Sequence, residues 1–184
     1  KRAAVCQSNG EVLLYDTSSW EVVYTLKAET HDPARSASFS PDGSVLAVGG
    51  FRGTIRLWDT GTGKEKASLK GPGTGVSSVA FSADGSRLAA TSLPLPGRLS
   101  AGEVWVYRKG KDGAFEEGKQ LRGHRMPALC CAWSADGKRL ATGGGMAQQG
   151  GEVLVWDVEK AMPALALGSH RHPAEAVAFT RDGN

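Results

Sequence analysis

The clearest hydrophobic pattern along the chain is a short run in which residues two apart are aliphatic: Ile55 and Leu57, Val104 and Val106, Val153 and Val155. The position between is often apolar too, as at Leu13, Trp105 and Leu154. Period two marks a β-strand, and a strand apolar on both faces is covered on both faces. A different run precedes it and ends at an aromatic residue, as in Val76, Ser77, Ser78, Val79, Ala80 and Phe81. One face of that run carries Val79 and Phe81, Cys131 and Trp133, or Val177 and Phe179. The other carries only Ala, Ser or Cys. An Asp-Gly step then supplies the positive φ of a tight hairpin and leads into a run at 45–48, 87–90 or 139–142. Last comes a polar run, at 21–26, 65–69, 115–121 or 163–167, whose charges suit an edge that must resist pairing with other chains.

The four runs recur as a set. Phe39-Ser40-Pro41-Asp42-Gly43 returns at Phe81, at Trp133 and at Phe179, spaced 42, 52 and 46 residues apart. Self-similarity at that period predicts an array of small units, none able to bury its apolar faces alone. The repeat units fall at approximately 1–43, 44–85, 86–137 and 138–184. Small residues on the first run of each unit let the innermost strands crowd at an axis. The expected architecture is all-β, a radial array of four-stranded antiparallel sheets.

Composition adds limits. Glycine is 25 of 184 residues, about twice the usual share, which fits many tight turns. Net charge is +3 with scattered basic residues, so there is no electrostatic case for nucleic acid or membrane. No apolar stretch approaches a membrane span. Cys6, Cys130 and Cys131 make neither a disulfide framework nor a zinc spacing, and the adjacent pair reads as small buried strand residues. Reduced thiols favour a cytoplasmic location.

With these residues in hand, the chain resembles the WD40-repeat β-propellers. The carriers are Leu57-Trp58-Asp59 and Val155-Trp156-Asp157, the weaker Leu14-Tyr15-Asp16, the four Asp-Gly hairpins, and Gly123-His124 ahead of a first strand. His31 and His170 are looser versions of the last. In that family a histidine, a Ser or Thr on the second strand, an Asp in the following turn and the Trp form a buried hydrogen-bonded network. The resemblance implies such a network for His124, Thr142 and Trp156, although the turn at 143–151 has no Asp. It implies a reduced one for His31 and Trp58, where Val48 replaces the hydroxyl and Arg52 stands near the expected acid. The next unit has Pro72 for the histidine and Tyr107 for the tryptophan. Half-satisfied polar networks are costly when buried, so these sheets are expected to rely on apolar packing.

Lys1-Arg2 aligns with Lys138-Arg139, directly after an Asp-Gly turn, and 182–184 stop on that same turn. This permuted register predicts sixteen strands. Either 175–180 pairs with 2–6 and closes a ring, or the four sheets form an open arc belonging to a larger propeller of seven or eight blades. An open arc leaves apolar faces bare at both ends and invites self-association.

Little in the chain suggests reaction chemistry. Asp42, Asp84, Asp136 and Asp182 recur once per unit and read as turn residues. Gly61-Thr62-Gly63-Lys64 lacks the glycine spacing and following Ser or Thr of a phosphate loop. His170 and His172 lack an evident third ligand. No enzyme activity, cofactor or metal is expected. The informative departures are long loops between second and third strands, at 91–103 and 143–152. In the family these share one rim with the connectors between units. The candidate partner-binding residues there are Arg35, Arg52, Leu93, Leu95, Arg98, Arg125, Met126, Met146 and Arg171. The expected function is a non-catalytic scaffold that docks protein or peptide partners on that rim. The alternative is the sensor or targeting portion of a larger multidomain enzyme.

Overall fold

The computed structural model describes residues 1–28, 32–73, 75–93, 101–116 and 118–180, leaving His31, Leu95 and Arg98 outside the described residues. Strands follow one another in hairpin order, as period-two patterning and short turns dictate. The first sheet holds β1 (Arg2–Cys6), β2 (Glu11–Asp16) and β3 (Val22–Lys27). The second holds β4 (Ala34–Phe39), β5 (Val45–Gly50), β6 (Thr54–Asp59) and β7 (Glu65–Lys70). The third holds β8 (Gly75–Phe81), β9 (Arg87–Leu93), β10 (Val104–Arg108) and β11 (Lys119–Leu121). The fourth holds β12 (Ala128–Trp133), β13 (Arg139–Met146), β14 (Gly150–Asp157) and β15 (Met162–His170). All pairings are antiparallel, and the described residues contain no helix. These are the blades of a propeller arranged as an unclosed series.

Two hairpin turns per sheet share one rim. At the Asp-Gly step, Gly43, Gly85 and Gly137 take φ of 72°, 69° and 67°. The preceding Asp accepts from the Ser two residues before it: Asp42 from Ser40, Asp84 from Ser82, Asp136 from Ser134. Those bonds hold the Asp42 and Asp84 carboxyls down to about 2. Between third and fourth strands the Asp after the aromatic does similar work. Asp59 Oδ1 accepts the Gly61 and Thr62 amides, and Asp157 Oδ1 accepts the Lys160 amide. The recurring acids are therefore turn residues.

Each pair of neighbouring sheets encloses an apolar cluster. Val12, Leu14 and Leu26 meet Leu46, Val48 and Trp58 between the first and second. Ile55 and Leu57 meet Val76, Val79, Leu88 and Tyr107 between the second and third. Val104, Val106 and Leu121 meet Leu140, Leu154 and Trp156 between the third and fourth. The both-sided strands β6 and β10 are buried because a sheet lies on each side. In β14 the outward Val153 and Val155 are only half-buried, and their partners Leu165 and Leu167 on β15 are exposed.

The inner strands have no strand partner on their axial edge, and the small-residue face resolves that. Ser36 Oγ accepts the Val79 amide at 3.0 Å and Ser38 Oγ accepts the Phe81 amide at 3.1 Å. Ser77 donates to the Ala128 carbonyl at 2.6 Å, and Trp133 Nε1 donates to the Ala80 carbonyl at 2.9 Å. Edge groups of one inner strand are thus satisfied by side chains of the next, rather than by a ladder.

Three expectations change. Fifteen strands form among the described residues, and 175–180 lies outside any strand, without pairing to β1. Just before it, the Ala174 amide donates to the Gly144 carbonyl of β13, and Cys130 Sγ reaches the Ala174 carbonyl at 3.4 Å. An inner strand needs a second strand beside it, and none stands there. The strand expected at 115–121 shrinks to Lys119–Leu121, with one isolated bridge between Lys109 and Phe115 across the turn at 110–113. Finally, no buried side-chain nitrogen or oxygen among the described residues lacks a partner, so the half-satisfied networks do not occur.

Candidate functional site

The rim opposite the Asp-Gly turns is built from the turns between second and third strands and the connectors that enter each sheet. They are bonded into a continuous band. The Phe51 amide donates to Pro33, and the Gly71 amide to Gly53. The Gly102 amide donates to Met126, and the Gly145 amide to Pro127. These approaches leave no room for a side chain: a Cβ on Gly71 would stand 2.6 Å from the Gly53 carbonyl oxygen.

An acid locks connector to turn in each of the last three sheets. In the fourth, Glu152 Oε1 accepts from His124 Nδ1 at 2.8 Å and from the Arg125 and Met126 amides at 2.8 and 2.9 Å. His124 Nε2 lies 2.7 Å from Thr142 Oγ1, which accepts from Trp156 Nε1 at 2.7 Å. The ends of this relay determine its direction, since an indole only donates and a carboxylate only accepts. The Thr142 hydroxyl therefore donates to His124 Nε2, and Nδ1 carries the ring proton. Burial pushes the His124 pKa below its ordinary value against the opposing pull of Glu152, so the ring is neutral. For Glu152 burial acts upward, but bonds from His124 and the two amides prevail and hold it below the ordinary range.

The third sheet uses Glu103, whose Oε2 accepts the Gly73 amide at 3.1 Å and Trp105 Nε1 at 2.8 Å. Tyr107, standing for the tryptophan, donates to the Lys70 carbonyl at 2.5 Å. The second sheet places the acid on the connector. Asp32, 4% exposed, accepts the Arg52 amide at 2.7 Å and meets Arg56 Nη1 at 3.4 Å.

His124, Thr142 and Trp156 are thus brought together, in the arrangement that the resemblance implies. Trp58 is buried in the cluster between the first and second sheets, away from His124. The acid missing from 143–151 is Glu152, one residue beyond. A signal for it existed: Glu11, Glu103 and Glu152 each stand directly before an aliphatic that opens a third strand. Sequence order places Asp32 on the rim but does not show its role as the lock, and it does not single out Phe51.

Of the candidate rim residues, Arg35, Arg52, Arg125 and Arg171 are exposed, and Leu93, Met126 and Met146 are half-buried. Arg35 is the extra residue of a bulge in β4, between Ala34 and Ser36. Its guanidinium lies over the Phe51 ring, 5.1 Å from the centroid. Phe51 is 43% exposed, whereas Met126 and Met146 are half-buried. The cysteines face apart. Cys131 lies against Ser78 with burial pushing its thiol up to about 12, and Cys130 lies against Ala174. Among the described residues no three His, Cys, Asp or Glu gather around a common point.

The family model described as "WD domain, G-beta repeat" matches residues 20–59, 63–93 and 115–157, together more than half of the chain. The chain is 33% identical over 122 residues to WD repeat and SOCS box-containing protein 1 of Xenopus tropicalis, covering 66% of this chain and 26% of that protein. It is 25% identical over 171 residues to B-type cell cycle switch protein ccs52A of Medicago truncatula, covering 92% of this chain and 32% of that protein. It is 33% identical over 154 residues to Echinoderm microtubule-associated protein-like 2 of Rattus norvegicus, covering 83% and 22%. The chain spans a third or less of the length of each of these relatives. Recurring Asp-Gly hairpins, aromatic-Asp third strands, the His124–Thr142–Trp156 relay and these matches have one common explanation: the chain belongs to the WD40-repeat family.

Proposed function

We propose that this chain is a non-catalytic interaction module that docks protein or peptide partners on its connector rim. The observation that carries the reading is the band itself. Turns and connectors from successive sheets are hydrogen-bonded together, so the exposed Arg52, Phe51 and Arg125 side chains project from a held backbone rather than from independent loops. Affinity at such surfaces concentrates in a few aromatic and arginine anchors on a preorganised frame. The test is affinity capture with the intact chain and with Phe51→Ala, Arg52→Ala and Arg125→Ala combined. Partners should be lost while the melting temperature is unchanged. Retention of every partner by the folded variant would overturn the reading.

The small share of its relatives' length supports a second reading. Here the rim positions an enzyme carried elsewhere on the same polypeptide, as the sensor or targeting part. Reading the complete transcript separates the two, because an adjoining catalytic domain would move the activity there.

A further inference from the structure

We propose that the connector rim recognises an acidic peptide, one with clustered Asp or Glu side chains beside an apolar residue, through Arg35, Arg52 and Phe51. The proposal rests on the reading of the rim as a docking surface and specifies its partner.

Among the described residues the rim's carboxylates are turned inward or paired, except for Glu175, which is exposed beside Ala174. Asp32, Glu103 and Glu152 hold connector and turn amides, and Glu11 pairs with Lys27 at 2.7 Å. Arg35, Arg52, Arg125 and Arg171 face solvent, and among the described residues none of them forms an ion pair. The opposite rim differs. There Arg2 pairs with Asp16, Lys66 with Asp59, Lys160 with Asp157, and Glu159 bridges Arg87 and Arg108. Of the exposed guanidinium groups that form no ion pair among the described residues, Arg35, Arg52, Arg122, Arg125 and Arg171 lie on the connector rim and Arg139 on the opposite one. Such local fields steer oppositely charged partners and suppress wrong ones.

Arg35 has a specific geometry. Each inner strand bulges at the same place, and the bulged residues are Arg35, Ser77 and Leu129. Ser77 directs its hydroxyl inward, to Ala128 and Thr91. Bulges re-aim a side chain, and in the second sheet that aim delivers an exposed cation onto the ring of Phe51. Stacking restrains the guanidinium plane and leaves its N–H donors available for a two-pronged carboxylate contact. The exposed part of Phe51 offers apolar surface beside it.

The experiment is fluorescence anisotropy on the full chain with a labelled synthetic peptide alternating Glu and Phe. Controls are the matched Gln and Lys peptides and a thymidine oligonucleotide of equal charge. The Glu peptide should bind, weaken as salt rises, and lose about tenfold or more in affinity with Arg35→Glu and Arg52→Glu combined. Arg35→Lys keeps the charge but loses the planar fork, and should lose affinity severalfold. Lys111→Glu, exposed on the opposite rim, should change little. Equal binding of Glu and Gln peptides, indifference to the reversed arginines in a variant that melts normally, or tighter rim-dependent capture of the oligonucleotide would overturn the proposal. A peptide-display selection separates the two levels. Neutral or basic peptides that still depend on Arg52 and Phe51 would leave rim docking standing and remove the acidic class. Selected peptides that all ignore the rim would remove both.

Discussion

The Glu152 carboxylate accepts from His124 Nδ1 at 2.8 Å and, through the same oxygen, from the amides of Arg125 and Met126. One side chain thus joins a buried relay to the backbone of the rim. The relay runs from Trp156 through Thr142 and His124 to Glu152 with every donor matched to an acceptor. Thr142→Val, nearly isosteric, leaves the Trp156 N–H and the His124 Nε2 lone pair without partners. It should cost about 1–3 kcal/mol. Trp156→Ala, which also empties the apolar cluster, should cost about 3–5 kcal/mol. Urea titration monitored by circular dichroism measures both. A midpoint unmoved by Trp156→Ala would remove the residue from the inter-sheet core.

The neutral His124 makes stability depend on pH. Its folded pKa lies below the unfolded 6.5, so the unfolded chain binds the proton more readily. The stabilisation is complete above pH 6.5 and is lost as pH falls through the folded pKa. Glu152, depressed from 4.5, adds its own loss only below pH 4.5. Thermal melts between pH 7.5 and 4.5 should decline, and His124→Gln should flatten that decline. An equal slope in the variant would assign the pH dependence elsewhere.

Ser36 and Ser38 satisfy amides on the open edge of the neighbouring inner strand. Replacing either by alanine leaves a half-buried N–H without an acceptor, at about 1–3 kcal/mol. Faster amide hydrogen exchange confined to Val79 in Ser36→Ala, and to Phe81 in Ser38→Ala, would be the specific signature. Unchanged exchange at both sites would contradict the edge-capping role.

Gly43 has φ of 72°, and a Cβ built on it meets nothing within 4 Å. Gly43→Ala therefore isolates the backbone cost of the left-handed region, about 1–2 kcal/mol. Ala161 has φ of 55° in the turn after Asp157, at the place that Gly63 fills after Asp59. Ala161→Gly should relieve that strain, with a net gain of about 0–1 kcal/mol after the added freedom of the unfolded chain. Differential scanning calorimetry should move the two midpoints in opposite directions, or leave the second unchanged.

Leu165 and Leu167 are 52% and 45% exposed on the outward face of the fourth sheet, beside half-buried Val153 and Val155. On its own, the 184-residue chain should self-associate through this face. Sedimentation equilibrium should show concentration-dependent mass, reduced by Leu165→Lys and Leu167→Lys together. A single monomeric species across the range would show that the face needs no cover.

Much of this architecture was open to inspection before any coordinates. Aromatic anchors at a steady period placed the Asp-Gly turns, and aliphatics two apart placed β6, β10 and β14, because turn chemistry and strand alternation act within a few residues. Pairing of His124, Thr142 and Trp156 is implied by the resemblance to the family rather than by local patterning. The acids at 32, 103 and 152 are not legible as one set, because Glu103 and Glu152 act from the start of a third strand and Asp32 acts from a connector. Only folding brings an amide to a carboxylate 20 to 30 residues away, as with Arg52 and Asp32 or Gly73 and Glu103. The outward arginines follow the same logic. Local patterning encodes which residues form strands and where the chain reverses. Which charges are consumed within the rim, which remain available, and which aromatic stacks under Arg35 depend on contacts between separate turns, and those are written in three-dimensional packing alone.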